Sequence, residues 1–177
     1  PALCGIPGSS APEGDSGSQQ PARQPVIMRI VLQRVSYGAV WVDGACVGEV
    51  QGPGLVLLIG MGRQESVEEL RFWAQKCVNL RIFPDEAGKM NRSLLEVGGG
   101  LLAISQFTLF GETRKGRRPG FSTAGEPAVA KEQYQLFVQL LRDTGVKVET
   151  GVFQAHMDVR IHNDGPVTLV LGSDFQP

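Results

Sequence analysis

The chain has 177 residues, 42% of them hydrophobic and 20% charged, and a formal net charge of −1. That length favours one domain with some excess, and the near-zero charge excludes a general nucleic-acid binder: DNA is not expected, and an RNA-sized partner has to be met by a local basic patch. Three cysteines (Cys4, Cys46 and Cys77) form no CxxC pair, which argues against a disulfide framework or a zinc site and for a reducing compartment. No apolar run approaches the ~20 residues of a membrane span, so the chain reads as soluble and intracellular, in the cytoplasm.

Residues 1–25 hold five Pro, four Gly and four Ser. So little apolar surface cannot offset the entropy of ordering, and a disordered N-terminal extension is expected there. It lacks the compact apolar stretch of a secretory signal. A single folded domain is expected over 26–177; without Arg23, Glu13 and Asp15 the 17 basic and 18 acidic residues become 16 of each.

Ile27 to Val35 is a β-type run, and Asp43-Gly44 between Ala39–Val42 and Ala45–Val47 predicts a type I′ hairpin turn. Gly52-Pro53-Gly54 punctuates the chain before the apolar run Leu55 to Ile59, a buried strand. Ser66-Val67-Glu68-Glu69 is a capping box opening a helix, whose Leu70, Trp73, Ala74, Cys77 and Val78 recur at i, i+3, i+4, i+7. Cys77 is therefore core filler rather than a nucleophile. Leu80 to Phe83 predicts a short strand ended by Pro84, and Leu101 to Leu109 a strong one. A basic loop leads to Pro127, which starts a second helix with Ala130, Tyr134, Phe137, Val138 and Leu141 on its apolar face, stopped by Gly145. Three strands are expected to finish the chain: Val146–Phe153, Met157–Ile161 and Val167–Leu171. The fold class expected is α/β, a single domain in a layered β/β/α arrangement of mixed sheets with two main helices.

The chain has no GxSxG elbow, no phosphate-cradling Gly loop and no HExxH. Its two histidines, His156 and His162, have no ligand-spaced partners, so neither a metal nor another cofactor is expected and both read as surface or edge residues. Catalysis in such a chain has to lean on backbone amides, hydroxyls and the substrate itself. Leu101–Ile104 is apolar on both faces, and then Ser105, Gln106 and Thr108 bring three hydrogen-bonding side chains that each need a partner. They mark either a strand emerging at a sheet edge or a site. Asn163-Asp164-Gly165-Pro166 predicts a turn, in which Gly-Pro permits a cis peptide. It is either an ordinary surface turn or a place where bare backbone presses on a ligand. Arg114, Lys115, Arg117 and Arg118 place four cations in five positions, the natural phosphate contact in a neutral domain.

Together these segments resemble the D-aminoacyl-tRNA deacylase family, over nearly the whole span from Met28 to about Leu171. Gln33-Arg34-Val35 is similar to its opening QRV. Gly52–Leu55, Asn79–Phe83 and Gly88–Asn91 fall at the family's spacing, Ser105–Leu109 resembles its SQFTL, and Asn163–Thr168 its NDGPVT. The resemblance implies a homodimer, tRNA as partner, and hydrolysis of the ester between a D-amino acid and the terminal ribose, with glycyl-tRNA mischarged on tRNA(Ala) also a substrate. It implies that Gly165 and Pro166, joined by a cis bond, enter the partner's pocket and exclude L-side chains by steric clash. Arg34 then braces that turn beside Asn163. The backbone N–H near Phe107, with Ser105 and Gln106, surrounds the ester carbonyl, and Phe137 and Met157 wall the adenosine pocket. Thr108 is the family's nucleophile candidate, but a Thr hydroxyl needs an adjacent base and this sequence offers none. A ribose 2′-hydroxyl on the substrate is the alternative aid to water. A sibling family clearing L-mischarged tRNAs carries PQATL and TNGPxT at these places. Ser105, Phe107 and Asn163-Asp164 here match the D-specific branch. His162 before Asn163 and Gly120-Phe121 after the basic loop depart from the pattern. Two readings remain beside the deacylase: the L-clearing sibling and a non-catalytic nucleic-acid-binding module.

Overall fold

The computed structural model describes residues 28–63, 65–114 and 116–172; the extension at 1–25 and Cys4 lie outside them. Strands β1 (Met28–Val42) and β2 (Ala45–Met61) form a long antiparallel hairpin. Its turn has Asp43 at φ 49° and Gly44 at φ 81°, the pair of positive dihedrals that a type I′ turn demands. Strand β2 runs parallel to β5 (Gly100–Ser105), which runs parallel to β6 (Lys147–Thr150), while β7 (Asp158–Gly172) lies antiparallel along β1. The mixed sheet has the order β6-β5-β2-β1-β7, and a small second sheet pairs β3 (Phe83–Pro84) with β4 (Met90–Arg92). Helices α1 (Val67–Asn79), short α2 (Leu94–Val97) and α3 (Pro127–Arg142) complete the described domain. None of them is long and apolar enough to cross a membrane.

Helix α1 starts where the capping box places it. Ser66 Oγ accepts from the Glu69 amide at 3.2 Å, and a Glu69 carboxylate oxygen accepts from the Ser66 amide at 3.0 Å, a device contributing about 1 kcal/mol. Its Leu70, Trp73, Ala74, Cys77 and Val78 are buried together with Tyr134, Phe137 and Leu141 of α3, against Met28, Ile30, Leu32, Leu55, Leu57, Ile59, Leu101 and Ala103 of the sheet. Strand alternation sends Val56, Leu102 and Ile104 to the opposite face, where they form a second core with Val35, Val40 and Val50.

That second core exists because the sheet folds over itself. The β1–β2 register shifts between Val35 and Tyr37, and a bulge there bends the strand, laying the far half of the hairpin on the near half. A Cβ on Gly38 would stand 2.8 Å from Val56 Cγ2, and one on Gly48 would stand 2.7 Å from the Thr150 carbonyl oxygen. Glycine is what lets the layers approach. The result is strand layer on strand layer, with the helices outside one of them.

Several boundaries differ from expectation. The segments 157–161 and 167–171 are one strand, β7, rather than two. Val35 pairs with Asn163 and Gln33 with Thr168, so both flanks of Asp164–Val167 stay on β1. The expected turn is a four-residue bulge opposite Arg34. The last strand of the β5 side, β6, ends at Thr150, and β5 ends at Ser105, where the chain enters a 3-10 turn over Phe107–Phe110. Gly52–Gly54 lies inside continuous β2, and only Phe83 of Leu80–Phe83 is in a strand. Helix α2 carries a second capping box, Ser93 with Glu96.

Candidate active site

A cleft of about 710 Å³ opens at the C-terminal end of β5. Its floor is Ile59, Met61, Ile104, Ser105 and Gln106; α3 contributes Ala130 and Tyr134; the segment between β6 and β7 contributes Phe153, His156 and Met157. The size is that of a small-molecule pocket, and the walls are mostly apolar with a few polar groups. Tyr134 is fixed by donating its hydroxyl to the Ala103 carbonyl at 2.9 Å, and its ring lies 5.8 Å from that of Phe153. Burial raises the Tyr134 phenol well above its ordinary range, so it acts as a neutral donor.

The polar residues that end β5 are at this cleft. The Gln106 amide donates to the Ile59 carbonyl at 2.7 Å, which carries the parallel ladder one residue past the strand. The chain then tightens into the 3-10 turn Phe107–Phe110, whose preceding residue provides no side-chain cap. The first N–H groups of such a turn have no acceptor within it. Among the described residues the amides of Phe107 and Thr108 make no hydrogen bond. Gln106 Nε2 donates to Thr108 Oγ1, so the hydroxyl's neighbour is an amide donor rather than a base that could take its proton. The Phe107 side chain is 60% exposed and stands edge-on to Phe121 at 5.1 Å between ring centroids.

The second segment is elsewhere on the chain. Asn163, Asp164, Gly165 and Pro166 sit on the exposed bulge of β7 and do not line the cleft. The Gly165–Pro166 peptide is cis and Gly165 has φ +123°. Asn163 closes the bulge from within. Its Oδ1 accepts from the Val167 amide at 2.9 Å, and its Nδ2 donates to Thr168 Oγ1 at 2.8 Å. Arg34, 9% exposed, braces it from below. Nε donates to the Asp164 carbonyl at 3.2 Å, and Nη1 donates to the Ile82 carbonyl at 2.6 Å.

The remaining sequence-predicted residues divide. Met157 lines the cleft, but Phe137 is fully buried between α3 and the sheet. The aromatic wall is made by Tyr134 and Phe153 instead. Phe153 was missed because it lies in an irregular segment with no periodicity to mark it; His156 is exposed, as expected of a surface residue, and also borders the cleft. In the basic loop, Arg114 is tied to Glu112, whose carboxyl the guanidinium and the Arg114 amide pull down to about 2. Arg117 and Arg118 are exposed, and Lys115 lies outside the described residues. Among the described residues no group of three His, Cys, Asp or Glu is arranged to hold a metal.

The bent mixed sheet with its outer helices defines a class of α/β domain seen in solved structures. One, titled "c-Myc DNA Unwinding Element Binding Protein", is 36% identical, with a TM-score of 0.75 over 81% of this chain and 97% of its own. Another, a probable eukaryotic D-amino acid tRNA deacylase, shares the fold at 20% identity and a TM-score of 0.74. The family model described as D-Tyr-tRNA(Tyr) deacylase matches residues 31–172. D-aminoacyl-tRNA deacylases of Fervidobacterium nodosum and Desulforudis audaxviator are 53% and 55% identical over 146 residues, which is 82% of this chain and 97% of each relative. The chain belongs to the D-Tyr-tRNA(Tyr) deacylase family.

Proposed function

We propose that this protein hydrolyses the ester of D-aminoacyl-tRNA, releasing free tRNA and the amino acid. The observation that carries the reading is the uncommitted amide of Phe107, at the edge of an apolar cleft, with the uncommitted Thr108 amide next to it in the chain. An ester carbonyl becomes an oxyanion in the transition state, and preorganised N–H donors stabilise it without reorganisation. In this reading the terminal adenosine enters the cleft between Tyr134, Phe153 and Met157. The ester carbonyl meets the Phe107 amide beside Ser105 and Gln106. The 2′-hydroxyl of the terminal ribose assists the attacking water, since Thr108 is bonded to Gln106 and has no base beside it.

The chirality element is assigned to a second copy of the chain. Gly165 and Pro166 do not reach their own cleft, while β7 is an exposed edge strand fifteen residues long. Such an edge is a template for pairing, and we read it as part of a homodimer interface that brings the partner subunit's Gly165 and Pro166 to this cleft. Backbone atoms placed there leave no room for an L-side chain and are indifferent to which D-side chain arrives. Glycine, with no side chain, also fits, which extends the reading to glycyl-tRNA(Ala). The tRNA backbone is met by the basic loop through Lys115, Arg117 and Arg118, while Arg114, paired with Glu112, contributes least.

The test is ester loss from D-tyrosyl-tRNA and L-tyrosyl-tRNA. Fast loss of the D-ester alone is expected. Loss of the L-ester instead supports the L-clearing sibling. Loss of neither, with tight binding of duplex DNA, supports the non-catalytic reading, which is favoured by the name of the 36%-identical solved structure.

A further inference from the structure

The 3-10 turn that presents the Phe107 amide is held at its other end. Arg29 of β1 donates from Nη1 to the Leu109 carbonyl at 2.7 Å, and its guanidinium carbon lies 5.1 Å from the centre of the Phe110 ring. The last carbonyls of a helical turn have no acceptor role within it, and a cation is well placed there because a charged donor gives the stronger bond and opposes the turn's negative end.

The sheet register explains how β1 reaches a turn that follows β5. Arg29 is the cross-strand partner of Gly60 on β2, and the Gln106 amide bonds to the neighbouring Ile59. Gly60 thus stands between the arginine and the turn, and it has no side chain to obstruct either. A Cβ on Gly60 would stand 3.0 Å from the Gln106 carbonyl oxygen, 3.0 Å from Phe110 Cε2 and 3.2 Å from Leu109 Cβ. The turn rests directly on the glycine, and the arginine reaches across it to the far side. Arg29 acts beside the turn's other contacts: Leu109 and Gly111 donate to the Gln106 and Thr108 carbonyls, Thr123 Oγ1 donates to the Phe110 carbonyl at 3.5 Å, and the Phe110 ring is buried.

We propose that Arg29 is a positioning residue for the deacylation reaction: by holding the Leu109 carbonyl across Gly60 it fixes the direction of the Phe107 amide at the cleft. It touches neither substrate nor reacting atoms. The inference rests on the proposed role of that amide. A shift of well under a bond length at the carbonyl end swings the amide end by a similar amount, and catalysis is steep in such displacements.

The test uses the full chain with Arg29→Met, Arg29→Lys and, independently, Gly60→Ala. With D-tyrosyl-tRNA, Arg29→Met is expected to lower kcat roughly tenfold to a hundredfold with KM unchanged. Arg29→Lys, which keeps charge and one donor, recovers most of the loss. Gly60→Ala lifts the turn from beneath and lowers kcat likewise, and the double variant falls short of the product of the two. A rise in KM with kcat intact, no recovery by lysine, or strictly multiplicative losses would each overturn the proposal. Amide hydrogen exchange reads the tether without any activity: in Arg29→Met the amides of Leu109 and Gly111, which donate within the turn, exchange at least roughly tenfold faster while those of β5 do not. Uniform exchange across both segments overturns the tether. Wild-type protein inactive on D-tyrosyl-tRNA refutes the deacylase reading alone and leaves the exchange result to stand.

Discussion

Arg34 holds Asp164 at two oxygens of one residue: Nε donates to its carbonyl at 3.2 Å and stands 3.0 Å from carboxylate Oδ2. Asp164 is half exposed, which screens the ionic share, whereas the Ile82 carbonyl that Arg34 also binds is buried with it. Arg34→Ala is therefore expected to cost about 2–3 kcal/mol in urea denaturation, chiefly from the orphaned carbonyl. Arg34→Lys recovers little of this, because one ammonium cannot span both elements. Deacylation of D-tyrosyl-tRNA should fall in both variants, and a stable Arg34→Ala with full activity would sink the bracing role.

Glu65 gives a pH dependence. It is 8% exposed, and neither carboxylate oxygen makes a well-formed hydrogen bond. Burial, with nearby Glu69 adding to it and the Gly62 amide opposing, pushes its carboxyl up from 4.5 to about 8. Between these values the unfolded chain has lost the proton that the folded chain keeps. Stability therefore declines as pH rises from about 4.5 to about 8 and is highest, for this group, below 4.5. Glu65→Gln removes that decline. The check is denaturation midpoints of both proteins at pH 5.5 and 8.5; parallel curves would refute the assignment.

These two residues also show where sequence reasoning runs out. The Asp43-Gly44 hairpin and the Ser66 capping box were legible because their chemistry is complete within four residues. Asn163–Pro166 was legible as a break but not as a bulge, since the distinction depends on Gln33 and Val35 pairing with both flanks. Glu65 precedes a capping serine, where an acid is normally solvated. It is buried because α3 approaches through Gly125, whose absent Cβ would stand 2.1 Å from the Gly62 carbonyl oxygen. Phe137 has the helical spacing of a core residue and is one. Phe153 and His156 lie in a loop with no period, and only the folding of the sheet brings them to the cleft.

Tyr134→Phe separates the cleft wall from its anchor. The ring stays, but the bond to Ala103 is lost, and the Ala103 carbonyl retains only the Gly151 amide at 3.3 Å. The expected cost is about 1 kcal/mol in stability. KM for D-tyrosyl-tRNA should change less than twofold, measured by initial rates. A large KM change with unaltered stability would mean that the hydroxyl contacts the substrate directly.

Thr108→Ala tests the nucleophile. If water attacks, the loss of the Thr108 hydroxyl costs only the restraint on Gln106, and activity falls partly, roughly tenfold. Complete loss in an otherwise folded protein, with an acyl-enzyme trapped on the wild type by rapid acid quench, would make Thr108 the attacking group.

The basic loop offers a graded prediction. Arg114 spends its charge on Glu112, with Nε 2.9 Å from each carboxylate oxygen, and that neutralised pair has little left for a phosphate. Arg117 and Arg118 make no ion pair among the described residues. Each phosphate contact adds about 1 to the slope of log affinity against log salt. Arg117→Gln and Arg118→Gln should each weaken tRNA binding and reduce that slope by about 1, while Arg114→Gln should alter it by much less. Filter binding of uncharged tRNA from 50 to 200 mM salt, roughly the range where such contacts separate, distinguishes the three. Equal effects from all three would show that tRNA displaces the Glu112 ion pair, and no effect from any would place the acceptor stem on another face.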